Sequence, residues 1–185
     1  MLVQSERNQN QMQSPKMARP GSHSLRLALY QPDIPQNAGT MLRACACLGI
    51  GAAIIEPAGF PVSDRHFRRA GMDYLDAVHI ERHISFRAFE EWRAAMRLAQ
   101  GSHRLVLLST KAQADYCGFR FHPGDIIMVG RESAGVPDEV HSRADAEIRI
   151  VMRPPMRSLN VAVAAFMVIG EALRQVHADA GHRDE

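Results

Sequence analysis

Ile126-Ile-Met-Val-Gly130-Arg-Glu-Ser-Ala-Gly135-Val-Pro137 opens as a buried strand and runs into a loop. The apolar residues 126–129 stop abruptly at Gly130, the pattern of a strand covered on both faces of a parallel sheet. Gly130 and Gly135 then bracket a polar loop carrying Arg131, Glu132 and Ser133. A second apolar segment, 148–152, ends in the Pro-rich loop 153–156. Ser158-Leu159-Asn160 opens a long apolar helix predicted over 158–176. Two loops thus follow the carboxyl ends of two predicted strands, where open α/β sheets bind ligands.

Outward from this stretch, strands are predicted over 25–30, 52–56, 77–80 and 105–108. A helix is predicted over 37–48, with Pro35 at or near its start and Gly49 and Gly51 stopping it. Ser63 or Asp64 can cap a short helix reaching Ala70. Phe86, Phe89, Trp92, Met96 and Ala99 recur at helical spacing in an amphipathic helix over 85–100. A short helix is predicted over 138–142, and 112–124 reads as irregular. Alternating strands and helices give an α/β fold, a parallel sheet flanked by helices. The domain covers 24–177; the polar stretch 1–23 reads as a disordered extension and 178–185 as a frayed tail.

At 185 residues, 46% hydrophobic and 23% charged, the chain is one globular domain with a real core. A net charge of +2 permits an anionic partner without demanding one. Cys45, Cys47 and Cys117 form no disulfide framework and read as small buried thiols. The nine histidines show no metal-ligand spacing, so no metal is expected. Gly49-x-Gly51 opens a strand rather than a helix, which argues against a dinucleotide fingerprint. No apolar run reaches the roughly 18 residues of a membrane span, and no apolar signal region opens the chain. A cytoplasmic protein is expected.

Gly130-Arg-Glu132-Ser-Ala-Gly135-Val-Pro137 resembles the G-x-E-x-x-G-[LV]-P motif of the SPOUT class of RNA methyltransferases. Ser158-Leu-Asn160-Val resembles that class's closing motif, and Asn37-Ala-Gly39-Thr-Met-Leu-Arg43 its first motif, N-x-G-x-x-x-R. Tyr30 to Gly39 and Arg68-Arg69-Ala-Gly-Met-Asp-Tyr74 are similar to signatures of a subgroup of small bacterial tRNA 2′-O-methyltransferases that modify the wobble nucleotide. The resemblance runs over roughly residues 25 to 176. It implies a C-terminal trefoil knot, S-adenosylmethionine as methyl donor, a homodimer with its active site across the interface, and a tRNA anticodon loop at the wobble cytidine or uridine. The alternatives are another tRNA or rRNA nucleotide, or a non-catalytic RNA-binding protein that keeps the fold.

The resemblance places cofactor contacts on Leu108, Gly130, Ile150 and Ser158, with Gly135 shaping the loop. Gly130 allows close backbone approach, and Leu108, Ile150 and Leu159 offer apolar walls. Arg43 is the expected catalytic residue. Either it acts as a base on the ribose hydroxyl or, more simply, its guanidinium favours developing alkoxide charge and grips a phosphate. Asn37 either caps the first helix or orients Arg43 and the ribose. Glu132 holds its loop through backbone N–H groups or lies near the sulfonium. Asn160 is expected as a buried amide tying two loops together. Arg131 departs from the residues usual at its place in the subgroup. Arg68 and Arg69, in a cluster with Arg65 and His66, read either as a solvated face or as RNA contacts, with Tyr74 stacking on a base and Arg153 and Arg157 near the same strand. A helix apolar nearly all round from Leu159 to Ile169 is more than one small sheet needs, a second reason to expect a dimer.

Overall fold

The computed structural model of the chain describes residues 25–61 and 78–181. The extension over 1–23, the helix expected to end at Ala70, and Arg65, His66, Arg68, Arg69 and Tyr74 lie outside the described residues.

In chain order the elements are β1 (Arg26–Tyr30), α1 (Pro35–Leu48), β2 (Gly51–Ile55), β3 (Ile80–His83), α2 (Phe86–Gln100), β4 (Leu105–Leu108), β5 (Ala114–Asp115), β6 (Ile126–Val129), α3 (Asp138–Arg143), β7 (Ala146–Arg149) and α4 (Val161–Gly181). The seven strands form one sheet in the order β3-β2-β1-β6-β4-β7-β5. Each of the six strand pairs is parallel. β1, β2 and β6 are buried throughout; β2 and β6 are wholly apolar, while β1 opens on Arg26, buried and ion-paired with Glu81 at 3.0 Å.

Side-chain alternation divides the core in two. Leu27, Leu29, Ile54, Val106, Ile127, Val129 and Ile148 pack with Met41, Leu42 and Cys45 of α1 and Ala162, Ala165, Val168, Ile169 and Ala172 of α4. On the other face, Ala28, Tyr30, Ala53, Ile55, Leu105, Leu107 and Met128 meet Phe86 and Phe89 of α2 and Val140 of α3. The sheet is therefore the middle layer between two pairs of helices. α1 and α4 also pack against each other.

Several expectations shift. Pro35 is the first residue of α1, as its missing N–H favours, and Gly49 ends the helix at φ +65°. The third strand begins at Ile80 rather than 77 and ends at His83. Residues 112–124 are not wholly irregular, because β5 adds a two-residue exposed edge beside β7. β7 starts earlier and stops at Arg149; Ile150 and Met152 leave the sheet. α4 starts at Val161, three residues later than expected. Cys45 is buried and its thiol is pushed up to about 12 by that burial, but Cys47 and Cys117 are exposed, so they are not buried thiols. By length and composition Val161–Asp179 is apolar enough to cross a membrane, although no such span was expected. Its Val, Ile, Leu, Phe and Met side chains give it most of that hydropathy, and its buried face belongs to the core just described.

Candidate active site

The carboxyl ends of β4, β6 and β7 open onto a cavity of about 460 Å³. Leu108 at the end of β4, Gly130 after β6, and Ile150 and Met152 after β7 line it, as do Ser158, Leu159 and Asn160 before α4. Asn37 enters from the first turn of α1, and Glu132 and Gly135 from the loop after β6. The structure thus brings Leu108, Gly130, Ile150, Ser158, Asn37, Glu132, Gly135 and Asn160 to one hollow. Ile150 reaches it because the chain leaves the sheet after Arg149.

Two glycines shape the loop after β6 for different reasons. Arg131 and Gly135 form an antiparallel bridge, with N–H to carbonyl distances of 3.0 and 2.8 Å. This presses Gly135 onto Gly130, where an added Cβ would come within 2.6 Å of the Gly135 carbonyl carbon. Gly135 itself has φ +66°, a conformation L side chains rarely adopt.

A chain of polar side chains links the three motifs. Asn37 Nδ2 donates to Glu132 Oε1 at 3.0 Å, and Asn160 Nδ2 donates to Asn37 Oδ1 at 2.9 Å. Asn160 Oδ1 accepts the N–H groups of Ala162 and Val163, at 2.9 and 3.3 Å, which caps α4. Two expectations are corrected. Asn37 does not cap α1: Ile34 stands at that cap, and the Asn37 amide faces Glu132 and Asn160 instead. Asn160 does tie two segments together, but it is exposed rather than buried. Its bonding alone fixes its place.

Glu132 is anchored on both oxygens, because Asp33 N–H donates to Oε2 at 3.2 Å. Burial, then the neighbouring Asp33 carboxyl, pushes the Glu132 pKa up, while the Asn37 bond pulls it down. Asp33 moves the other way, held well below the usual carboxylate range by its interaction with Glu132 and by bonds from Ser133 and the loop backbone. Arg131 Nε lies 3.8 Å from Asp33 Oδ2 and Arg131 also lines the cavity.

Arg43 is exposed on α1 and does not line this cavity; nor do the exposed Arg153 and Arg157 of the loop before α4. Three residues of the site went unread in the sequence. Asp33 lies inside the Tyr30–Gly39 signature, the only signal that pointed at it. His141 lines the cavity with Nδ1 2.9 Å from Glu147 Oε1, and Lys111 lines it from the loop after β4. Neither stands in a pattern of its own. Among the described residues no cluster of metal-ligating side chains occurs.

A sheet with its hollow at the carboxyl ends of three strands, walled by three separated motifs, defines a class. The chain belongs to the SpoU rRNA methylase family, whose model matches residues 24–170. Within it, the chain is 70% identical over 152 residues to a tRNA (cytidine(34)-2′-O)-methyltransferase of Beijerinckia indica, covering 82% of this chain and 92% of that one. It is 39% identical over 154 residues to a protein of the same description from Escherichia coli K12, covering 82% and 94%. A solved structure described as giving insights into 2-OH methylation of C/U34 on tRNA matches with a TM-score of 0.74 and 41% identity, over 84% of this chain and 97% of that one. The SpoU methyltransferase AviRb of Streptomyces viridochromogenes, solved with AdoMet, matches with a TM-score of 0.76 and 27% identity, over 83% and 60%.

Proposed function

We propose that the chain is a tRNA 2′-O-methyltransferase that transfers a methyl group from S-adenosylmethionine to the ribose 2′-hydroxyl of nucleotide 34, a cytidine or uridine in the anticodon loop. One observation carries this reading: motif residues as far apart as Asn37, Glu132 and Asn160 are hydrogen-bonded to one another around a single hollow. The relatives' shared activity at cytidine 34 supports the choice of substrate.

The residues present fit the donor. Leu108, Ile150 and Leu159 offer apolar walls for an adenine, Gly130 lets backbone approach closely, and Ser158 adds a hydroxyl. S-adenosylmethionine brings an electrophilic methyl group on a sulfonium. The loop after β6 and Asn160 hold the walls in place before anything binds, so little ordering remains to be done on binding. Arg43 favours the ribose oxygen as it gains negative charge, and its guanidinium grips a neighbouring phosphate. It stands off the hollow of its own protomer, so the reading assigns it to the hollow of a partner in a homodimer. The exposed apolar residues Val163 and Met167 on α4 support that dimer. The order β1-β6-β4 in the sheet, with α4 packed on α1, is compatible with the C-terminal trefoil knot of the SPOUT class. Arg157, with Arg68, Arg69 and Tyr74, is assigned to the RNA. A tRNA substrate places the enzyme in the cytoplasm, and the displacement at carbon needs no metal.

The test is nucleoside mass spectrometry of tRNA incubated with the protein and S-adenosylmethionine. A 2′-O-methylated pyrimidine mapped to position 34 is expected. Methylation elsewhere would move the substrate assignment, and its absence from every tRNA and rRNA tried, despite donor binding, would leave a binding protein.

A further inference from the structure

Asp33 takes no part in the chemistry above and does not line the cavity, yet three donors of the loop after β6 converge on it. The Glu132 N–H donates to Oδ1 at 3.1 Å, and the Ser133 N–H to Oδ2 at 3.3 Å. The Ser133 hydroxyl also donates to Oδ2. The exchange is reciprocal, since the Asp33 N–H donates to Glu132. We propose that Asp33 is a positioning residue for the methyl donor, a carboxylate latch that sets the shape of the loop wall without touching the donor itself.

The chemistry of the loop calls for such a group. The Arg131–Gly135 bridge closes its ends but does not use the Glu132 and Ser133 N–H groups within it, which bond to the Asp33 carboxylate instead. An ionised carboxylate collects such donors more strongly than a neutral acceptor does. Its pKa is depressed, first by the neighbouring Glu132 side chain and then by the bonds from Ser133 and the loop backbone. Two carboxylates side by side repel, and the nearby Arg131 guanidinium offsets that repulsion. The latch also has a stiff mount. Pro32 precedes Asp33 and Pro35 follows two residues later, each with φ locked by its ring. On its outer side Gly59 N–H donates to the Pro32 carbonyl at 2.9 Å, and a Cβ at Gly59 would come within 2.9 Å of Asp33 Cα. Arg131, which departs from its subgroup, thereby acquires a role: countercharge for the latch.

This inference rests on the cavity being the methyl-donor site, and the experiment separates the two. Calorimetry with S-adenosylhomocysteine and steady-state kinetics are run on the intact wild-type enzyme and on variants. Wild-type protein that binds no S-adenosylhomocysteine overturns the donor site itself. With wild-type binding in hand, Asp33→Ala is expected to raise the Kd and the donor KM about 30-fold, while kcat at saturating donor stays within about threefold. Asp33→Asn keeps one acceptor oxygen and is expected to recover most of that loss, to about fivefold, and Ser133→Ala to weaken binding about threefold. Asp33→Ala binding within about twofold of wild type overturns the latch, as does a fall in kcat at unchanged KM. Should Asp33→Ala not fold, wild-type affinity in both Asp33→Asn and Ser133→Ala overturns it equally.

Discussion

The loop after β6 and the loop after β7 wall the same cavity but are held in different ways. Residues 130–135 are closed by the Arg131–Gly135 bridge, packed glycine on glycine, and pinned to Asp33 and Asn37. Residues 153–160 are exposed throughout, with a turn from the Arg153 carbonyl to the Met156 N–H at 3.0 Å and the Asn160 amide at the end. Met156 is 64% exposed, and the apolar surface resumes on α4 at Val163, 52% exposed. One wall is finished within the chain. The other displays apolar side chains to water, which is costly unless a second surface covers them. The difference teaches that the β6 wall is fixed along its length by bonds within the chain, whereas the β7 wall is fixed at its ends and leaves apolar side chains in water.

The widest break between the two walls concerns Arg43. It belongs to neither in its own protomer, so Arg43→Ala should lower methyl transfer by about 10²–10³-fold, the usual cost of removing one charge-stabilising donor, with S-adenosylhomocysteine affinity unchanged by calorimetry. Turnover near wild type would remove Arg43 from the chemistry. The finished wall is probed next by Gly130→Ala. Its new Cβ has no room against Gly135, so donor binding should be lost and stability should fall by about 1–3 kcal/mol in denaturant titration, the cost of overpacking. The unfinished wall is probed by Val163→Glu combined with Met167→Glu. A buried pair of charges at an interface should shift the protein from dimer to monomer in light scattering and abolish activity, leaving the thermal transition of the protomer within a few degrees. An unaltered dimer would send the exposed stripe of α4 to some other use. The smallest effect falls where the walls join: Asn160→Ala removes the cap of α4 and should cost about 1 kcal/mol, read as a lower melting temperature.

The sequence made the sheet easier to read than the walls. β4 and β6 were delimited to the residue because four consecutive apolar side chains are bounded by polar residues or glycine. β5 escaped notice because Ala114 and Asp115 are an exposed edge pair with no apolar pattern. β7 was overextended because Ile150 and Met152 look like strand residues, although their apolarity serves the cavity. The motif residues that line the hollow were legible through their spacing and resemblance. Asp33 and His141 were not: Asp33 answers donors on Glu132 and Ser133, far along the chain, and His141 bonds Glu147 just past its own short helix, and no local periodicity records either. Of the two roles read for Asn37, the helix cap fails for a related reason. An asparagine near a helix start is a good cap on local grounds, but the amide here answers residues 95 and 123 positions away.

Those long separations bear on how the protein comes into being. Contacts between ends of a chain form late, since closing the intervening loop costs entropy before any bond repays it. Asn37 emerges from the ribosome early and must wait for Asn160 before its amide finds both neighbours. The central strands can assemble during synthesis, but a nascent chain cut short of residue 160 has no complete pocket to offer, so competence to take up a ligand arrives only as translation nears its last helix.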